Sequence, residues 1–238
     1  MEGKSIKRIT SLQATFFGLL LLIFIFEMKP SLQDHQSPVK RYTYLALGDS
    51  YTIGEKVNAA ENFPNQVTTI LKAKGLNFQE PEIVAQTGWT TDELEAAIRK
   101  ANLRRSYDFV TLLIGVNNQY RGRKAVDYIP EFESLLKQAI QFASGDNSHV
   151  IVLSIPDWGV TPFAEGRDRK KIAAEIDEYN AANKLIAGKY SVYYIDISNS
   201  TREAAKDSSL LTSDGLHPSA KEYERWAKLV AEYMQSKL

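Results

Sequence analysis

From residue 42 to the end of the chain, short apolar runs alternate with segments whose apolar residues recur at helical spacing. Tyr42 to Leu47 is a strand-like run ending at Gly48. Asn62 and Pro64 open a helix with Phe63, Val67, Ile70 and Leu71 on one face and Gly75 as its stop. Glu82 to Ala85 is a brief strand. Thr90 and Glu93 form a capping-box pair for a helix running through Ala101. Phe109 to Ile114 is apolar throughout, as a strand buried on both faces must be. Phe132, Leu135, Leu136, Ala139, Ile140 and Ala143 share a helix face that ends at Gly145. Val150 to Ile155 is a fourth strand. Ile172, Ile176, Tyr179, Asn183 and Ile186 mark a helix stopped at Gly188, and Val192 to Ile197 is the last strand. Ser219 and Glu222 form a second capping box before a terminal helix carrying Tyr223, Trp226, Leu229, Val230 and Tyr233. Five strands with helices between them predict an α/β protein: a three-layer α/β/α sandwich on a five-stranded parallel sheet. In such sheets, function gathers beyond the carboxyl ends of the strands.

The first 40 residues break this rhythm. Lys4, Lys7 and Arg8 precede an uncharged run, Ala14 to Phe26, and a polar, proline-bearing stretch from Pro30 to Pro38 follows. A basic flank before an apolar segment marks an export signal or an anchor. Ile9 to Phe26 supplies 18 residues, close to the roughly 20 that a full span needs. No small-x-small cleavage site follows. The expected organisation is an N-terminal membrane anchor or signal segment at 1–28, a linker at 29–40 and a catalytic domain at 41–238. The expected location is a single-pass membrane protein with an exported body, or a secreted protein if the segment is cleaved; a cytosolic protein is the third reading.

Composition narrows the chemistry. The chain has 238 residues, 29 basic and 29 acidic side chains, three histidines and no cysteine. Without cysteine there is no thiol nucleophile, disulfide framework or thiolate metal site. A balanced charge argues against nucleic acid as a partner.

Four loops beyond strand ends carry chemistry: Gly48-Asp49-Ser50-Tyr51-Thr52-Ile53-Gly54, Gln86-Thr87-Gly88-Trp89, Gly115-Val116-Asn117-Asn118 and Asp214-Gly215-Leu216-His217-Pro218. A serine hydroxyl is a weak nucleophile and needs a base, and the base needs a carboxylate to set its tautomer. Ser50, His217 and Asp214 are the catalytic candidates. The Ser50 and Gly88 backbone N–H groups and the Asn117 carboxamide are candidate donors to a tetrahedral oxyanion. Trp89, Tyr120 and Trp158, with Phe163, are candidates for a substrate-binding wall or for a simple cover over the sheet. Asp49 suits a turn acceptor better than an acid catalyst. His149, at the amino end of strand four, reads as a surface histidine, and His35 lies in the linker. Arg121 and Arg123 read as a solvated loop. Gly48 to Gly54 superficially resembles a phosphate-binding loop, but five residues separate its glycines and Glu55 stands where a lysine is needed.

These four blocks, in this order over residues 44–218, resemble the GDSL, or SGNH, hydrolases. The resemblance implies a flavodoxin-like sandwich and hydrolysis of carboxylic esters through an acyl-enzyme, without metal or cofactor. It also implies Ser50 as nucleophile, His217 as base and Asp214 as its orienter. Tyr51 stands where that family's named tetrad has leucine. Asn118 stands where many members have aspartate, and Gln86-Thr87-Gly88 departs from the usual asparagine-bearing second block. The implied partner is a small-molecule, lipid or carbohydrate ester. Acetylated polysaccharide, lysophospholipid and short-chain lipid are all open. The alternatives are an O-acyltransferase acting on carbohydrate and a non-catalytic, membrane-tethered binding protein.

Overall fold

The computed structural model describes residues 40–238. The expected anchor or signal segment, and all of the linker except Lys40, lie outside the described residues. Among the described residues no helix is long and apolar enough to cross a membrane.

The strands are β1 (Tyr44–Asp49), β2 (Glu82–Gln86), β3 (Phe109–Leu113), β4 (Val150–Leu153) and β5 (Tyr193–Ile195). They form one parallel sheet in the order β2-β1-β3-β4-β5. Its register sets Gly48 beside Leu113, and Asp49 beside Gln86. Leu45, Leu47, Phe109, Leu112, Ile151 and Leu153 have no exposed surface, which is why these strands are apolar at consecutive positions. The helices are α1 (Ser50–Ile53), α2 (Phe63–Ala73), α3 (Thr91–Lys100), α4 (Val116–Tyr120), α5 (Ala125–Phe142), α6 (Arg169–Lys189), α7 (Ser198–Arg202) and α8 (Ala220–Gln235). Helices α2 and α8 pack together, α5 packs against α3 and α6, and both faces of the sheet are covered. The fold is the expected three-layer α/β/α sandwich.

Several details differ from the pattern along the chain. Tyr42 lies outside the sheet in a single bridge to Phe78, with the two rings stacked at 5.0 Å. Helix α5 begins at Ala125, well before the apolar face centred on Phe132, and carries Pro130 inside it. Gly188 does not stop α6; the helix continues to Lys189 with Tyr190 as its cap. Most instructive is Ser219. The expected capping box is absent: the Ser219 hydroxyl donates to Ser209 O, and Glu222 instead accepts from Ser200 Oγ and Trp226 Nε1. A buried indole N–H and a half-buried hydroxyl need an acceptor more than a solvated helix end does. The Thr90–Glu93 box, which has no such competitor, forms as expected.

The strand order reverses between β1 and β3, because the chain moves outward to β2 and then returns to the other side of β1. The loops leaving β1 and β3 therefore diverge, and a crevice opens between them at the carboxyl edge. Ser50 follows β1 and Asn117 follows β3.

Candidate active site

Ser50 sits at a forced turn. The Asp49 carboxylate accepts from Tyr51 N at 3.0 Å and caps α1, while Gly54 ends that helix at φ +77°. Gly48 is required by close approach: a Cβ there would lie 2.4 Å from Leu113 O and 2.1 Å from Thr52 Oγ1. The result is a strand-to-helix corner that leaves Ser50 4% exposed, with its Oγ against His217.

His217 Nε2 lies 3.0 Å from Ser50 Oγ, and His217 Nδ1 lies 2.7 Å from Asp214 Oδ2. The other carboxylate oxygen of Asp214 accepts from Leu216 N at 2.9 Å, His217 N at 3.0 Å and Thr212 Oγ1 at 2.8 Å. Burial alone would raise the Asp214 pKa, but bonds from the imidazole, the backbone and Thr212 outweigh it and hold the carboxyl at about 2. An ionised Asp214 keeps the ring proton on Nδ1, so Nε2 faces Ser50 as an acceptor. The loop itself is fastened on three sides. Thr212 N donates to His217 O, Phe163 N to Gly215 O, and Ser219 N to Leu210 O. The Tyr51 ring packs beside the imidazole, with centroids 5.1 Å apart.

The candidate oxyanion donors border the same space. Ser50 heads α1, so its N–H has no acceptor within the helix. Gly88 adopts φ +85°, and Arg121 donates to its carbonyl at 2.7 Å, holding that peptide in place. Asn117 Nδ2 donates to Trp89 O at 3.0 Å and faces Asp49 Oδ2 at 3.4 Å, so one of its two hydrogens is only weakly held. Asp49 is fully buried. Desolvation pushes its carboxyl up to about 7, against the lowering effect of the Tyr51 N–H and Asn117 bonds. Its turn-accepting role is the one expected, and its contact with Asn117 adds to it.

Asn118 has a function that motif comparison alone treated only as a departure. It is wholly buried; its Oδ1 accepts from Thr91 N at 3.1 Å and its Nδ2 donates to Thr91 Oγ1 at 2.7 Å. It thereby ties the loop bearing Asn117 to the start of α3. The only signal in the sequence was its place directly after Asn117.

A cavity of about 150 Å³ opens onto Ser50 and His217. Gly88 and Asn117 lie on one side, and Tyr120, Trp158, Phe163 and Leu216 form an apolar wall. Trp89 does not line it. Its side chain packs on the hydrophobic core and contributes only its carbonyl, to Asn117; Phe163 completes the wall instead. Tyr120, Trp158 and Phe163 meet with centroids 5.3–6.1 Å apart. His149 lies at the other end of the sheet, half-buried and stacked on Phe109 at 4.5 Å. His35 lies outside the described residues. Arg123 pairs with Asp92 at 2.7 Å and Arg121 with Glu93 at 3.2 Å. No group of His, Cys, Asp and Glu suited to a metal ion occurs among the described residues.

A parallel α/β sandwich with a serine, a histidine and an aspartate joined by hydrogen bonds at its topological switch point has the parts that serine hydrolases use. The chain belongs to the GDSL-like Lipase/Acylhydrolase family, whose sequence pattern matches residues 46–225. No curated protein matches it by sequence. Solved structures share the fold at low identity. TesA superposes with a TM-score of 0.64 at 17% identity, covering 82% of this chain and 99% of its own. Axe2, an acetylxylan esterase from Geobacillus stearothermophilus, gives 0.64 at 19%, covering 81% and 94%. A lipase/acylhydrolase from Enterococcus faecalis gives 0.65 at 21%, covering 83% and 97%.

Proposed function

We propose that this hydrolase cleaves carboxylic esters through a serine acyl-enzyme, with Ser50, His217 and Asp214 as its triad. Ser50 Oγ attacks the ester carbonyl as its proton passes to His217 Nε2. Asp214 stabilises the imidazolium so formed. The oxyanion takes hydrogen bonds from the Ser50 and Gly88 N–H groups and from Asn117 Nδ2. The tetrahedral intermediate collapses, and the alcohol leaves with the proton from Nε2. Water then adds to the acyl-enzyme by the same exchange and releases the acid and free Ser50. The observation that carries this reading is the continuous relay of 2.7 Å and 3.0 Å from Asp214 through His217 to Ser50.

The cavity of about 150 Å³ is smaller than the roughly 300–1,000 Å³ of typical small-molecule sites. It favours a short acyl group inside, with the alcohol portion at the rim. The test is hydrolysis of p-nitrophenyl acetate and longer acyl esters by the full chain beside Ser50→Ala. The variant is expected to lose several orders of magnitude in kcat. Equal rates for the two proteins would refute the mechanism. For location we infer a membrane-anchored protein with an exported body, supported by the basic flank and the uncharged run from Ala14 to Phe26. Release of the protein from membranes by alkaline carbonate, without detergent, would refute the anchor.

A further inference from the structure

Beside the cavity, against three of the rings that line it, stands a charge that the triad does not use: Arg167, which is not itself a lining residue. The guanidinium of Arg167 stands 5.2 Å from the centroid of Tyr120, 5.4 Å from Trp158 and 6.0 Å from Phe163. Its Nη2 reaches Tyr120 Oη at 3.3 Å. The residue is exposed, and no carboxylate pairs with it among the described residues, although Glu165 and Asp168 are close in sequence. The other arginine near the mouth, Arg121, is already engaged by Glu93 and the Gly88 carbonyl. Glu55, which accepts from Thr87 at the rim, has Lys56 beside it at 3.8 Å. Arg167 is thus a cation whose position is set by three ring faces and whose N–H donors remain largely unused. Rings hold a guanidinium in place without neutralising it, because the attraction is to the ring quadrupole. Its planar fork of donors suits an oxyanion.

We propose that Arg167 is a specificity-determining residue that selects esters whose alcohol portion carries an anionic group, a carboxylate, phosphate or sulfate, at the rim of the cavity. The inference rests on the esterase reading above. With the acyl group enclosed beside Ser50, the alcohol emerges along the Tyr120–Trp158–Phe163 wall, where the guanidinium meets its charge. A neutral alcohol gains only the aromatic surface. A free anion of the same kind lacks the ester and competes for the rim alone.

The experiment compares 4-acetoxybenzoate with its methyl ester, which share an acyl group and a ring and differ in charge. kcat/KM is measured for both with the full-length wild type, Arg167→Gln and Arg167→Lys. Arg167→Gln is expected to lower kcat/KM for the anionic ester by about 10-fold or more, the size of a charge-assisted hydrogen bond, and to leave the methyl ester within about two-fold. Arg167→Lys should recover part of the difference, and added salt should shrink it in the wild type and in Arg167→Lys but not in Arg167→Gln. An equal fall for both esters would assign Arg167 a purely structural hold on the wall and overturn the proposal, as would no change for either. Absence of hydrolysis of both esters by the wild type would refute the esterase reading, and this inference with it. Activity on the methyl ester with no charge-dependent loss in Arg167→Gln refutes the inference alone.

Discussion

Asp214→Asn tests the relay most sharply, because the surroundings dictate which way the new amide must face. Three donors converge on Asp214 Oδ1: Leu216 N, His217 N and Thr212 Oγ1. The amide oxygen will occupy that position, since the NH2 group there would meet three hydrogens. The NH2 is then placed at the Oδ2 position, 2.7 Å from His217 Nδ1. It donates where the carboxylate accepted, so Nδ1 loses its proton and Nε2 carries it instead. A protonated Nε2 cannot take the Ser50 proton. The same amide exchange in a serine-protease triad lowers kcat by about 10⁴, which is roughly 5 kcal/mol of transition-state stabilisation, and a loss of that order is expected here. The fold should survive, because the Oδ1 bonds remain. The stability change follows from the carboxyl pKa, 3.8 when unperturbed and about 2 in the fold, a difference that solvent screening of this partly exposed group reduces to about 1 kcal/mol. Because the folded value is depressed, that stabilisation is present above about pH 4 and disappears as pH falls through about 2. Urea denaturation at pH 7 should therefore show a modest loss beside a near-total loss of p-nitrophenyl acetate hydrolysis. Activity within about ten-fold of wild type in folded Asp214→Asn would refute the tautomer reasoning.

Three further outcomes are expected. Asn117→Ala should lower kcat by about 10²–10³, the value of one oxyanion donor, with KM little changed; an unchanged kcat would remove Asn117 from the site. Asp49, raised to about 7 by burial, binds an extra proton in the fold between about pH 4 and 7. Its contribution to stability is therefore full in acid and falls as pH rises through that window, by at most about 4 kcal/mol. Urea midpoints from pH 4.5 to 8 should decline in wild type relative to Asp49→Ser, which keeps a capping oxygen, and parallel curves would contradict this. Glu222 accepts from Trp226 Nε1 at 2.8 Å, Ser200 Oγ at 2.6 Å and Arg225 at 3.0 Å with its side chain 2% exposed. Glu222→Ala should destabilise the fold by about 1–3 kcal/mol, chiefly by leaving the buried Trp226 N–H without an acceptor, while leaving kcat per folded molecule intact; a loss under about 0.5 kcal/mol in urea would show that the network is dispensable.

Local features were legible along the chain. Continuous apolar runs mark strands buried on both faces and period-3.6 patterns mark helices with one face on the core, so the alternation of five strands and their helices appears in the order of residues alone. Asp214 and His217 are three apart in one turn, and Thr90 and Glu93 close a cap within a single helical start; both were readable because the partners are neighbours in sequence. The motif also marked Ser50, Gly88 and Asn117 as belonging to one site.

What required the tertiary structure was every choice between distant partners. Ser50 meets His217 across 167 positions, because the sheet order turns about at β1 and β3 and opens the crevice there. Trp89 had the composition of a pocket residue, yet its ring goes to the core while Phe163 takes the wall; burial of the larger apolar surface decides that, and no local pattern encodes it. Glu222 had the spacing of a capping residue, but Trp226 and Ser200 claimed it, since an unpaired buried donor is more unfavourable than a helix end left to water. Arg167 is the same case in reverse: an ordinary charge in a basic stretch of sequence, made distinctive only by the three rings that folding brings beneath it. The sequence by itself determined the elements and the chemical groups available to them. Which groups face one another was decided by packing, because contacts between residues far apart in the chain depend on how apolar faces are buried together.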